Sequence, residues 1–388
     1  MKSVSFGSLC DLRNGRAFKP EEWSDQGTPI VRIQNLNDES KPFNYCNFEV
    51  EEKFWVNSGD LLFSWSGTPG TSFGAFFWNR GRGFLNQHIF RVDINETLVD
   101  KAYLRYALNS LLDKIIDQSH GGVGLKHITK AKLESVQIPL PPLPEQRRIA
   151  AILDKADALR TKRREAIAKL DQLLQSVFLE MFGDPVTNSK GSPETDFLGD
   201  VADICSGITK GRRTTEKTRE TPYLAVANVQ DRHLKLGSVK TICATDAEIE
   251  RYRLAVNDLL LTEGGDPDKL GRGALWDGSI RECIHQNHVF RVRITSPLIN
   301  PVFLNWLVGS ARGKRYFLSV SKQTTGIASI NMTQLKKFPL LAPPIALQTQ
   351  FALAVSKIEV HKRELEKARD SAEQLFQALQ QQAFTGTL

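Results

Sequence analysis

Four pairs of polar and basic stretches carry the chemistry this sequence offers, one member of each pair in either half of the chain. Ser64-Trp65-Ser66-Gly67-Thr68 follows a short apolar run in the first half, and Thr262-Glu263-Gly264-Gly265-Asp266 stands in the same place in the second. A tryptophan can stack on or wedge between bases, whereas a glutamate can accept from a cytosine amino group. Gln87-His88 is answered by Asn287-His288. Arg13 and Arg16 are answered by Lys210, Arg212 and Arg213 after a glycine turn, where an arginine can fork onto guanine or grip phosphate. The stretch from His120 to Lys126 is answered by Lys322, Gln323 and Thr324 before the last strand of each half. Singly, such clusters are solvated surface. At matching places in both halves they describe two faces for a polyanion. His88 and His288 are either paired base readers or polar groups closing strand ends. The second reading is favoured, because two different targets would be read by differences.

Bond-making chemistry is not encoded by any motif. There is no G-x-x-x-x-G-K-[ST] phosphate loop. Asn300-Pro301-Val302-Phe303 approaches an amino-methyltransferase motif but has Val302 in place of the second proline, and a proline in a first helical turn explains it better. Pro267, Asp268 and Lys269 hint at a metal-dependent nuclease, yet no acidic-x-Lys follows, and a turn accounts for them. The five cysteines, Cys10, Cys46, Cys205, Cys243 and Cys283, are scattered without a C-x-x-C pair. Neither a disulfide framework nor a metal site is expected, and the thiols are read as buried. The expectation is a chain with no catalytic residues and no cofactor of its own.

The elements that must position these stretches are two long helices. From Pro144 to Phe182, Ile149, Ile152, Ala156, Leu159, Ala166, Leu170, Leu173 and Val177 recur three and four apart among charged residues, which is coiled-coil spacing. With no internal Gly or Pro after Glu145, such a helix is about 55 Å long and needs a partner. The partner runs from Ile345 to Phe384, with a second seam through Phe351, Ala354, Ile358, Leu365, Ala368, Ala372, Leu375 and Leu379. Each helix follows a proline pair, Pro141-Pro142 or Pro343-Pro344, and carries Gln146 or Gln348 at matching places.

The globular stretches repeat as well. Thr28 to Val31 matches Thr221 to Leu224, Asp60 to Ser64 matches Asp258 to Thr262, and QHIFRV from Gln87 matches NHVFRV from Asn287. Amphipathic helices are predicted over Leu98 to Asp117 and Leu298 to Val320. The fold expected is α+β: two similar mixed heads, a two-helix antiparallel coiled coil and an internal pseudo-two-fold. Its boundaries are 1–143 for the first head, 144–182 for the central helix, 183–195 for a linker, 196–342 for the second head and 343–388 for the last helix.

A chain of 388 residues suits two domains plus helices, and a net charge of +7 is compatible with a polyanionic partner without requiring one. No apolar run approaches the roughly 20 residues that span a bilayer, and the first residues lack the apolar stretch of a signal peptide, so a cytoplasmic protein without membrane contact is expected.

PLPPLPEQRRIAAILDKAD, from Pro139, resembles the central repeat segment of the specificity subunits of type I restriction-modification systems, and APPIALQTQF with the closing AFTGTL resembles their distal repeat. The second copy departs from the pattern, with Ala346 and Leu347 where the first has Pro144 and Glu145. The resemblance implies that each head reads one half of a split double-stranded DNA target. It also implies that the helices set the gap and dock modification (methyltransferase) subunits, two in number. Restriction subunits would join in the full complex, and S-adenosylmethionine, ATP and Mg would be bound by those partners. Docking candidates are Glu145, Gln146, Gln348 and Phe351 at the helix starts, with Leu153, Ile167 and Leu174 just off the seam. A protein-binding scaffold with two heads and a coiled spacer is the alternative of another class.

Overall fold

The computed structural model describes residues 2–67, 72–117, 126–194, 196–324 and 326–388; Thr68 and His120 lie outside the described residues, and Lys126 and Thr324 are described in their backbone only. The chain divides into two compact units, residues 1–165 with 366–388, and residues 166–365. The helices Leu143–Phe182 and Ile345–Thr385 each contribute one end to either unit.

In the first unit, the apolar runs that alternate with polar residues pair as an antiparallel sheet in the order Cys10–Asn14, Ile89–Ile94, Leu61–Ser64, Gly74–Phe77. A second sheet orders Asn44–Cys46, Thr28–Val31, Gly83–Leu85 and Trp55–Val56, with Thr28–Val31 and Gly83–Leu85 parallel. In the second unit the first sheet recurs as Ala202–Ser206, Val289–Ile294, Leu259–Thr262 and Gly273–Leu275. The second recurs as Lys240–Ala244, Arg219–Leu224 and Ile284–His285, again with one parallel pair. Register repeats too, Arg91 facing Leu62 and Arg291 facing Leu260. Asn35 and Asn228 fold the loops after the matched strands identically. Each buried amide accepts from the backbone N–H three residues earlier and donates to two later carbonyls, Lys41 and Pro42 or Lys235 and Ser238. Gly15 and Gly207 permit the same close crossing: a Cβ would stand 2.1 Å from the Asn86 oxygen in one and 1.9 Å from the His285 oxygen in the other.

The domain helices begin later than their periodicity predicts and are broken. They run Lys101–Ser110 with Leu112–Asp117, and Pro301–Val308 with Ala311–Val320. Asp100 and Asn300 cap the first pieces, their side chains accepting from Tyr103 N and Val302 N, and Gly309-Ser310 interrupts the second pair. Asn300-Pro301 is thus a helix start, as the sequence reading holds.

Each proline pair delivers its glutamine into a buried clamp. Gln146 Oε1 accepts from Asp100 N at 2.8 Å, and its Nε2 donates to Leu98 O at 3.1 Å and Pro141 O at 2.8 Å. Gln348 does the same with Asn300 N at 2.8 Å, Leu298 O at 3.0 Å and Pro343 O at 2.7 Å. A primary amide suits this place because it offers one acceptor and two donors at once. The clamp ties the start of a long helix to the cap of the domain helix in the same unit.

Aromatic packing strengthens the tie. In the second unit Phe178 lies 5.7 Å from Trp306 and 5.4 Å from Phe351, and Phe182 lies 4.7 Å from Phe303, ring centroid to centroid. In the first, Phe376 packs on Tyr106 and Phe384 on Tyr103. Full burial of each such ring is worth roughly 1.5–3 kcal/mol, so the helix ends belong to the cores of the heads.

Within each unit the start of one long helix packs on the end of the other, but the seam differs from the predicted one. Ile149, Phe351 and Ala372 of that seam are buried, but Leu159, Leu173 and Leu375 are exposed, and Leu153, Leu174, Phe178 and Phe376, off the predicted stripe, are buried instead. A straight helix drifts about 20° per heptad from a 3.5-residue repeat, so a stripe read by eye turns away from the contact over this length. At mid-helix the seam is ionic. Arg160 bonds Asp157 at 2.7 Å and Glu373 at 2.8 Å and stacks 3.8 Å from the Phe376 ring, Arg163 donates to Ala368 O, and Lys362 bonds Asp171 at 2.6 Å. The docking roles of five residues are corrected by the same burial. Gln146, Leu153, Leu174, Gln348 and Phe351 are at most 1% exposed, being used by the chain's own units, whereas Glu145 and Ile167 retain accessible surface.

The buried reading of the thiols holds for Cys10, Cys46 and Cys283; Cys205 is half-buried and Cys243 exposed. Among the described residues no helix is long and apolar enough to cross a membrane.

His285 occupies the place of Leu85 and is fully buried, its Nδ1 2.7 Å from Val289 O. Burial pushes its pKa down to about 4. As pH falls, the unfolded chain therefore takes up this proton first. The stability held by neutral His285 is complete above about pH 6.5 and is lost as pH falls towards the folded value. The second unit is expected to lose about 2 kcal/mol from this group between pH 7 and pH 5. Urea unfolding of wild type and His285→Leu at both pH values tests it, and equal slopes would refute the assignment.

Candidate nucleic-acid interface

The matched loops converge at one place in each head. In the first, strand Leu61–Ser64 runs into Trp65, whose N–H donates to His88 O at 3.3 Å and whose carbonyl accepts from Ile128 N at 3.1 Å. In the second, strand Leu259–Thr262 runs into Glu263, whose N–H donates to His288 O at 3.0 Å and whose carbonyl accepts from Ile330 N at 2.9 Å. The backbone frame is the same and the side chains are not. The sequence pairing of Trp65 with Glu263, and of Gln87-His88 with Asn287-His288, places each residue at its equivalent.

Around Trp65 stand His88, Phe90 and His127, at 5.2, 5.8 and 6.3 Å between ring centroids, and the indole N–H donates to Asn14 Oδ1 at 3.4 Å. Ser66 Oγ lies 2.8 Å from His127 Nδ1. In the second head Glu263 Oε2 lies 2.5 Å from His288 Nδ1. Both imidazoles meet the preceding amide through Nε2, Gln87 at 3.3 Å and Asn287 at 3.5 Å. They differ at Nδ1. That atom of His88 is buried without a partner among the described residues, because an indole stands where the second head has a carboxylate. Burial, with His127 nearby, lowers the His88 pKa, so the ring is neutral at pH 7.

The basic residues are placed less simply. Register sets Arg13 opposite Arg91 and Cys205 opposite Arg291, while Arg16 bridges Asn86 and Ile208 bridges Gln286. Arg13 and Arg16 therefore correspond to Cys205 and Ile208, and Lys210, Arg212 and Arg213 lie in the loop beyond. Lys126 likewise corresponds to Ala328, since both pair with the second residue of the Gly-bearing strand, and Lys322 belongs to a hairpin, Lys322–Thr324 with Ile327–Ser329. Three of the arginines are engaged by carboxylates: Arg13 with Asp93 at 2.5 Å, Arg16 with Glu22 at 2.5 Å, and Arg212 with both oxygens of Glu248. The Arg212 guanidinium holds the Glu248 carboxyl down at about 2. Forking onto guanine would exchange these pairs, which for partly exposed ion pairs costs only about 0–1 kcal/mol, so the three position their loops and remain contact candidates. The side chains of Lys210, Arg213 and Lys322 are exposed and carry no ion pair or hydrogen bond among the described residues. Among the described residues the Gln323 side chain bonds locally, to Leu318 O and Ser321 Oγ at 3.5 Å.

Other polar and aromatic residues of the heads carry little signal of their own in the sequence. His127 is separated from Ser66 by 61 residues and reaches it only through strand pairing. Arg82 stacks 3.4 Å from the Trp55 ring beside a cleft of about 780 Å³ that also touches Phe48 and Phe84; the Arg80-Gly81-Arg82 run was its only sequence signal. In the second head, Arg212, Arg213, Thr214, Thr215 and Thr218 line a cleft of about 770 Å³ rich in donors, suited to a phosphate-bearing ligand.

Residues 1–170 match the family described as type I restriction modification DNA specificity domain. Over 421 aligned residues the chain is 23% identical to the type I restriction enzyme EcoBI specificity subunit of Escherichia coli, covering 99% of this chain and 85% of that one. Its fold is similar to the crystal structure of a type I restriction-modification S subunit from M. genitalium, with a TM-score of 0.58, 14% identity and coverage of 99% and 96%. It is also similar to a chain from a structure concerning complex assembly and conformational transition of the type I system, with a TM-score of 0.51, 15% identity and coverage of 100% and 98%.

Proposed function

We propose that the chain is a specificity subunit of a type I restriction-modification system, as its similarity to that family supports, and that each of its two heads reads one half of a bipartite double-stranded DNA target. As a specificity subunit it is not itself an enzyme and has no cofactor of its own. Cutting and methylation fall to partner subunits, which bring S-adenosylmethionine, ATP and Mg. Its work is cytoplasmic, where that DNA is met.

The observation that carries this reading is the repeated backbone frame at Trp65 and Glu263 with unlike side chains on it. A duplicated fold keeps the scaffold, and reading two different half-sites requires the scaffold to present different chemistry. Lys210, Arg213 and Lys322 supply phosphate contacts, which position without specifying. The long helices set the gap between half-sites and dock two modification subunits. With the five buried candidates withdrawn, docking falls to Glu145, Ile167 and the exposed apolar residues of the helices: Leu159 and Leu375 in the first unit, Leu173, Leu179, Ile345, Leu353 and Val360 in the second.

The test is a head exchange in the assembled complex. Replacing Met1 to Leu140 with the first head of another specificity subunit is expected to alter one half-site of the methylated target and leave the other unchanged. Binding should fall steeply with salt, as phosphate neutralisation requires. A complex indifferent to DNA sequence would instead support a protein-binding scaffold.

A further inference from the structure

Resting on the DNA-reading function, we propose that the residue held between the histidine carbonyl and the isoleucine amide is the base-discriminating position of each head, and that in the second head Glu263, aligned by His288, selects a base that presents an exocyclic amino group in the major groove. The frame fixes where this side chain starts. Its N–H and C=O are both spent, on His88 and Ile128 in the first head and on His288 and Ile330 in the second, so neither head can shift it. What varies is only the group presented.

Glu263 presents a carboxylate, which accepts and does not donate. One oxygen, Oε2, is taken by His288 Nδ1 at 2.5 Å, which fixes the plane of the carboxylate. Oε1 takes no hydrogen bond among the described residues, and the side chain is 34% exposed. A lone, oriented acceptor facing the major groove favours cytosine N4 or adenine N6 and is repelled by guanine O6 or thymine O4. Trp65 presents the opposite chemistry. Its only side-chain donor is spent on Asn14, leaving an apolar face on a neutral histidine, and His88 Nδ1 has no partner among the described residues. The first head discriminates here by apolar contact rather than by hydrogen bonding.

Glu263→Gln changes one oxygen to a donor with almost no change of shape. In the complex with modification subunits, the target is first mapped by methylation, and each position of the second half-site is then varied in duplex substrates. The variant is expected to admit guanine or thymine at one position of that half-site, reducing discrimination there by roughly ten- to a hundredfold, with the first half-site unchanged. His288→Asn, which loosens the carboxylate, should weaken discrimination at the same position and no other. Trp65→Glu, which supplies His88 Nδ1 with a partner, should introduce an amino-base preference into the first half-site. Preferences within twofold of wild type in all three variants would overturn the proposal while leaving bipartite reading intact. A wild-type complex without any bipartite preference would overturn the proposed function itself, which is a separate result.

Discussion

Gln348→Leu is expected to destabilise the second unit by about 3–5 kcal/mol, and Gln146→Leu the first by a similar amount, measured by urea unfolding. Leucine nearly fills the space of the amide, so the cost is not a cavity. It is the loss of partners for Asn300 N, Leu298 O and Pro343 O, all bonded by one side chain that is 0% exposed. A buried backbone group left unpaired costs about 1–3 kcal/mol, and three are orphaned together. Gln348→Glu should be at least as damaging, since it keeps the acceptor, loses both donors and buries a carboxylate. A loss below about 1 kcal/mol would mean that water or local movement replaces the amide, and that the helix start is held by aromatic packing alone.

Adding one heptad to each long helix is expected to lengthen the preferred gap between half-sites by about three base pairs, because seven residues add about 10 Å of helix and keep the seam in phase. The bases read at either side should not change. The original target should be methylated poorly, and a target with the longer gap well; methylation of duplexes with graded spacers measures both. If the preferred gap stays where it was, the helices are not the spacer. The ionic middle of the seam bears on the design of the insertion. Arg160, Arg163 and Lys362 each reach a specific partner on the other helix, Glu373, Ala368 and Asp171, so both inserts must keep these pairs aligned.

The long helices and matched strands were readable along the chain because each depends on local spacing. Apolar residues three and four apart and the proline pairs identify the helices, and runs such as Leu61–Ser64 and Leu259–Thr262 lie at corresponding places. The helix face in contact was not readable. Leu159 and Leu375 fit a heptad as well as Arg160 and Phe376 do, and only packing tells which pair turns inward. Nor were the ion pairs. Arg13, Arg16 and Arg212 look free in sequence, and the carboxylates that engage them, Asp93, Glu22 and Glu248, come from other strands, turns and helices of the same head.

What sequence by itself determined was duplication: the order of elements, their type, and the pairing of Trp65 with Glu263 and of His88 with His288. These follow from local periodicity and from like residues recurring in like order, which any arrangement in space preserves. The tertiary structure alone decided which side chains were spent inside the fold and which remained to be offered. Gln146, Gln348 and Leu153 went to the interior, and Glu263 Oε1, Arg213 and Lys322 were left outward. The physical reason is that a polar group's availability depends on what lies within about 3 Å of it, and in this chain those neighbours are often brought from dozens of residues away.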